Sequence, residues 1–125
     1  MQRVQTKDAP AAIGPYSQAV IAGGMVFVSG QIPLTPAGVL RQGGIAEQTK
    51  QALENLRAVL EAAGSGLDKV VQVSAFLDDI NDFAAFNEVY ASFFSEPYPA
   101  RAVVEVSRLP KGVKVEVACV AEGGK

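Results

Sequence analysis

The chain reads as an α+β domain, and three observations carry that reading. Two apolar runs, Ser17 to Ala22 and Met25 to Gln31, meet at Gly23-Gly24, the signature of a tight hairpin. From Ile45 to Ala63, apolar residues recur at three- and four-residue spacing (Ile45, Thr49, Ala52, Leu53, Leu56, Val59, Leu60 and Ala63), which predicts an amphipathic helix. The runs that follow alternate strand, helix, strand, strand, so the predicted order is β-β-β-α-β-α-β-β. Crossovers of this kind lay both helices on one face of one mixed sheet.

The elements follow in order. Arg3 to Thr6 is a short edge strand, and Asp8 to Pro15 is a loop punctuated by Pro10, Gly14 and Pro15. Pro33 to Gly44 is a polar, glycine-bearing excursion and the best candidate for a mobile loop. Gly64-Ser65-Gly66 ends the first helix. Val70 to Leu77 is a strand with Val71, Val73, Ala75 and Leu77 on its core face. Asn81 or Asp82 caps a second helix that runs to about Phe94. Pro99 to Val106 and Val113 to Val117 read as a closing hairpin.

Composition narrows the function. The 125 residues form a single domain, 1–125, with one hydrophobic core. A net charge of −2 without a basic block argues against nucleic acid. No apolar stretch approaches membrane-spanning length, and the N-terminal residues lack the hydrophobic segment of a secretory signal. The single cysteine, Cys119, excludes an internal disulfide, fits a reducing, cytoplasmic compartment, and falls on an apolar strand face as a small buried hydrophobe. There is no histidine, which removes Ser-His-Asp and Cys-His catalysis and the commonest metal ligand, so no metal is expected. There is neither GxxxxGK[ST] nor GxGxxG, so no nucleotide-phosphate cradle is visible. Any chemistry runs on Arg, Glu, Tyr, Ser, Asn and backbone amides.

Several residues fit a purely structural role poorly. By parity within the closing hairpin, Arg101 and Glu116 lie together on the face opposite the all-apolar one. A guanidinium and a carboxylate so placed hold a small carboxylic acid and steer a water, or form a structural ion pair. Asn87 falls inside the helical stripe of Phe83, Phe86, Tyr90, Phe93 and Phe94, where it either bonds loop backbone or orients a ligand or water. Ser29-Gly30 at a strand end lets backbone approach a ligand, or merely ends a strand. Tyr16 follows the rigid Gly14-Pro15 and reads as a packing residue or a cleft phenol. The sheet face away from the helices, expected to carry Val70, Gln72, Ser74, Phe76, Val103, Ala118 and Val120, is too apolar to stay wet. Assembly would bury it and place ligand sites at the seams.

Together these segments resemble the Rid family of enamine/imine deaminases, the RidA or YjgF-type proteins. The resemblance rests on Ala11 to Ala19, Val28 to Pro33, Gln51 to Leu56, Leu77 to Phe83, Asn87 to Tyr90, Pro99-Ala100-Arg101 and Val115-Glu116-Val117. It implies a chorismate-mutase-like fold and a homotrimeric barrel with three intersubunit clefts. It implies the activity of a cofactor-independent 2-iminobutanoate/2-iminopropanoate deaminase, a hydrolase acting on C=N. Such an enzyme converts reactive 2-enamino and 2-imino acids such as 2-aminoacrylate to 2-keto acids and ammonia, a metabolite-damage-control role. By position it implies Arg101 as carboxylate anchor, Glu116 as the water-activating or proton-transferring group, and Tyr16, Ser29, Gly30 and Asn87 as cleft residues. Val103 stands where many relatives carry cysteine, and Tyr98 where phenylalanine is common. Two other functions fit the same outline: a non-catalytic carboxylate-binding regulatory trimer, and an RNA-directed translation inhibitor.

Overall fold

The Gly23-Gly24 turn joins two strands as expected, because both glycines adopt positive φ (58° and 74°) that a tight hairpin turn requires. The computed structural model describes residues 1–124. The strands are β1 (Gln2–Val4), β2 (Ala19–Ala22), β3 (Met25–Gln31), β4 (Val70–Leu77), β5 (Ala100–Glu105) and β6 (Val115–Glu122), with helices α1 (Ile45–Ala62) and α2 (Phe83–Phe93). They follow the predicted β-β-β-α-β-α-β-β order and form one mixed sheet, β1-β2-β3-β6-β4-β5.

α1 buries Ala52, Leu53, Leu56, Val59 and Leu60 completely against the sheet. Each large side chain among them contributes about 1.5–3 kcal/mol of hydrophobic stabilisation. Glu47 accepts a hydrogen bond from the Gly44 N–H at the start of the helix, and Gly64 (φ 81°) turns the chain at its end. Phe86 and Tyr90 of α2, and Phe94 just after it, are buried in the same core. Its entry differs in detail from expectation. Asp79 caps a preceding 3₁₀ turn by accepting from Asn81 N–H, and Asp82 occupies the N-cap of α2 without a side-chain bond.

The Pro33–Gly44 excursion is tethered. Asn55 donates to the carbonyls of Ile32 and Leu34, and Arg41 donates to the Gln51 carboxamide, which in turn donates to Asn55. A short bridge pairs Leu34 with Leu40.

One expectation is overturned. β5 and β6 do not form a hairpin. β6 runs antiparallel between β3 and β4, whereas β5 lies parallel to β4 at the sheet edge. The reason is burial. β6 buries an unbroken apolar face, Val115, Val117, Cys119 and Ala121, and suits a central position, while β5 has no fully buried residue, carries Arg101 and Glu105 and suits a wet edge. The faces change accordingly. Arg101 pairs with Val73 and so lies on the helix side; Glu116 pairs with Phe76 and lies on the open side. The expected shared face for Arg101 and Glu116 does not exist within one chain. Similarly, Val103 packs on the core side. A register shift between Val70 and Gln72 buries Val70 and leaves the expected core residue Val71 exposed. The open face carries Gln72, Ser74, Phe76, Ala102, Val104, Ala118 and Val120, with Phe27 opposite Val120.

Candidate active site

Arg101 begins the site. Edge strand β5 brings it alongside α2, where its guanidinium donates to Asn87 Oδ1 at 2.7 Å. Its central carbon lies 4.7 Å from the Tyr90 ring centroid, 5.7 Å from Phe83 and 5.9 Å from Phe86. Three aromatic faces at this range attract a cation and orient the planar fork. The stripe that builds the helix core thus also forms a shelf for the arginine. The Asn87 carboxamide oxygen is held by the arginine rather than by the loop backbone that its position also suggested. Asn87, Tyr90, Ala91, Tyr98, Pro99 and Arg101 line a cavity of about 370 Å³. Arg101 is exposed to that space, and among the described residues Asn87 is its one hydrogen-bond partner, so other N–H groups of the fork stay available.

Glu116 lies elsewhere. It lines a second cavity, of about 440 Å³, together with Tyr16, Gly30, Gln31, Ile32 and Lys111. Partial burial pushes its carboxyl pKa above the usual carboxylate range, because desolvation disfavours the charged form. Gly30 leaves room for Glu116: a Cβ there would overlap the carboxylate, which would have to swing aside. Gly30→Ala is therefore expected to displace that carboxylate and depress any Glu116-dependent turnover, while the exposed strand end keeps the fold. Equal turnover in Gly30→Ala and the parent protein, measured at saturating substrate, would refute a working role for the Glu116 position.

Tyr16 is half-exposed, and its N–H donates to Gly14 O, where Gly14 has φ 125°. Tyr16 lines the Glu116 cavity and also a neighbouring one beside β1. Ser29 uses its hydroxyl internally, donating to Ser17 O at 2.6 Å, and its N–H donates to Gln18 O. It pins the strand end that carries Gly30. The expected site residues therefore fall into two sets: Arg101 with Asn87, and Glu116 with Tyr16 and Gly30, with Ser29 bracing the second. The sets line different cavities on opposite sides of the sheet.

Three positioning residues escaped the sequence reading. Gln18 accepts from Thr6 N–H and donates to Thr6 O and Pro10 O, fixing the segment before Tyr16. Asn55 and Gln51 fix Ile32 and Leu34, beside Gly30. A signal existed for them: a carboxamide on an otherwise apolar face, the same signal that singled out Asn87. Cys119 is buried as expected, and burial pushes its thiol up to about 12, which leaves it unreactive. Among the described residues no group of three or more His, Cys, Asp or Glu side chains is placed to hold a metal ion.

The family described as Endoribonuclease L-PSP matches residues 6–123. The human 2-iminobutanoate/2-iminopropanoate deaminase is 47% identical over 122 residues, covering 97% of this chain and 89% of the human one. The chain belongs to the Rid (RidA/YjgF-type) family. A RutC family protein of Pyrococcus horikoshii is 54% identical over 117 residues, 93% of each chain. The crystal structure of RidA from an Antarctic Psychrobacter species superposes with a TM-score of 0.94 at 47% identity, over 98% of this chain and 99% of that one. The superposition with that structure runs over nearly the whole chain, so the two helices and six-stranded sheet are an architecture common to both. No helix among the described residues is long and apolar enough to cross a membrane.

Proposed function

We propose that this Rid protein hydrolyses reactive 2-imino acids, in equilibrium with 2-enamino acids such as 2-aminoacrylate, to 2-keto acids and ammonia, and so limits metabolite damage. The observation that carries this reading is the Arg101 fork, held by Asn87 and an aromatic shelf at the edge of a cavity, without a carboxylate partner among the described residues. A planar fork with available N–H groups suits the carboxylate of a small acid, which it grips through two parallel charge-assisted hydrogen bonds. The deaminase name of relatives near this identity supports the same substrate class.

The chemistry needs a second group. Water adds to the C=N carbon as its proton passes to a base, and the π electron pair goes to nitrogen. The base returns its proton to nitrogen, then takes the hydroxyl proton of the adduct and passes it to nitrogen as well, so that the C–N bond breaks with its electron pair on nitrogen and ammonia leaves as the hydroxyl becomes the keto oxygen. Glu116 suits these transfers, because a carboxyl with a raised pKa accepts and returns a proton nearer neutral pH. An enamine first gains a proton at its β-carbon, and the same group can supply it. Anchoring substrate beside a fixed base supplies several kcal/mol by proximity, about the scale of a modest effective molarity. The substrates are labile in water, so this suffices without a cofactor.

Arg101 and Glu116 cannot reach one substrate within a single chain, since they lie on opposite faces. The site therefore forms between copies, with Arg101 from one protomer and Glu116, Tyr16 and Gly30 from the next. The open sheet face, with Phe27 and Val104 each more than two-fifths exposed, supplies the apolar surface for a homotrimer.

The deciding experiment couples the purified protein to a dehydratase that releases 2-aminoacrylate and follows ammonia and keto acid. Release well above the buffer rate is expected. Binding of a keto acid with no acceleration would establish the regulatory reading instead.

A further inference from the structure

Lys111 is the only residue other than glycine with a positive φ among the described residues (φ 57°, ψ 18°). The left-handed region strains a residue that carries a Cβ, and such strain gathers where function needs a particular placement. Its surroundings impose the conformation. Pro110 fixes the backbone before it, Gly112 N–H donates to Leu109 O, and Lys114 N–H donates to the buried Gln48 carboxamide. The root of the lysine is thereby pinned beside the Glu116 cavity, which Lys111 lines as its one cation among the described residues. Lys111 is exposed, and among the described residues no ion pair or side-chain hydrogen bond occupies its ammonium. Burial alone raises the Glu116 pKa, so that carboxylate does not engage the ammonium either.

A 2-imino acid reaches this site as an anion. Two things oppose it: the chain's net charge of −2, and Glu116 itself, which is negative when ready to accept a proton. Arg101 grips the carboxylate, but it lines the other cavity. We propose that Lys111 is a further substrate-binding residue, a cation at the Glu116 cavity that draws the anionic substrate in and offsets its repulsion from Glu116. An ammonium on a flexible stem suits this role, which needs charge and reach rather than a planar fork. The inference rests on the imino-acid reading of the site, and the same charge acts on a 2-keto acid.

The test compares the parent protein with Lys111→Gln, Lys111→Arg and Lys111→Gly in two assays. One is kcat/KM on the imino acid generated from alanine by an amino-acid oxidase; the other is calorimetric affinity for pyruvate. At about 0.01 M salt Lys111→Gln is expected to lose about 3- to 10-fold in both, the scale of one charge acting near a protein surface, with kcat little changed. The loss should close at about 1 M salt, where charges are screened beyond about 3 Å. Lys111→Arg should return both values to within about twofold of the parent. Lys111→Gly should show the loss seen in Lys111→Gln while melting no lower than the parent, because glycine enters the left-handed region without strain. Values for Lys111→Gln within about 1.5-fold of the parent at low salt overturn the proposal, as does a loss that persists at high salt or is equal in Lys111→Arg. If pyruvate binding shows the expected pattern but no imino acid is consumed, the deaminase reading falls while the role of Lys111 stands. If pyruvate does not bind the parent protein, that role falls as well.

Discussion

Arg101→Ala is expected to abolish useful deaminase activity. Two charge-assisted hydrogen bonds, at about 1.5–3 kcal/mol each, are lost together, which corresponds to a fall in kcat/KM of about 10²–10⁴-fold. Arg101→Lys keeps the charge but not the fork, and a point charge on a flexible stem cannot reproduce two parallel bonds. It is expected to recover little of the lost activity. Asn87 and the Tyr90 ring would still be present in both variants, so the loss would report the guanidinium itself. Full rates in Arg101→Ala, measured on freshly generated 2-aminoacrylate, would remove Arg101 from the anchor role.

Glu116→Gln is expected to lower kcat more than it changes KM, by about 10²–10⁴-fold, the usual contribution of a general acid–base group. A change confined to KM would mean that Glu116 only shapes the cavity. The pH dependence offers a separate reading. Glu116 must be ionised to accept a proton from water, and its pKa is raised by burial. The acid limb of kcat/KM should therefore lie above the ordinary glutamate value of about 4.3 and vanish in Glu116→Gln. Stability moves the opposite way. A carboxyl whose folded pKa is raised favours the folded state below its unfolded pKa, and that advantage is lost as pH rises through the folded value. At neutral pH Glu116→Gln should melt above the parent protein, and the gap should close as the pH falls below about 4.

The two variants also test the shared site. If each site takes Arg101 from one copy and Glu116 from its neighbour, mixing inactive Arg101→Ala and Glu116→Gln chains by refolding together restores activity. Random assembly makes about one site in four whole. No recovery in mixed assemblies, with exchange confirmed by mass, would refute a site shared between copies.

The parts of the fold that were legible in the sequence are those decided by neighbours along the chain. Gly23-Gly24, the α1 stripe and the β4 run each express a local period and appear with nearly the expected bounds, whereas β6, expected at Val113 to Val117, runs from Val115 to Glu122. The partner of β5 was not legible. A strand's own residues state that it is extended; they do not state which edge it pairs with. The short connection from Val106 to Lys114 suggested a hairpin, but α2 had already returned the chain parallel to β4, and the more apolar β6 took the buried slot. Val71 failed for a related reason, since one irregularity at Val70/Gln72 inverts the parity on which face assignments depend.

The candidate site divides along the same line. Arg101, Glu116, Asn87 and Gly30 are conspicuous by type: a cation and an anion in apolar strands, an amide in an aromatic stripe, a glycine at a strand end. Residue chemistry alone therefore singled out the candidate groups, together with the helix and strand periods that carry them. Only the tertiary structure decided that Arg101 and Glu116 lie on opposite faces, that Asn87 serves the arginine, and that Gly30 makes room for Glu116. Periodicity is a property of adjacent residues. Facing and pairing are set by burial competition among all the strands at once, which no single segment encodes.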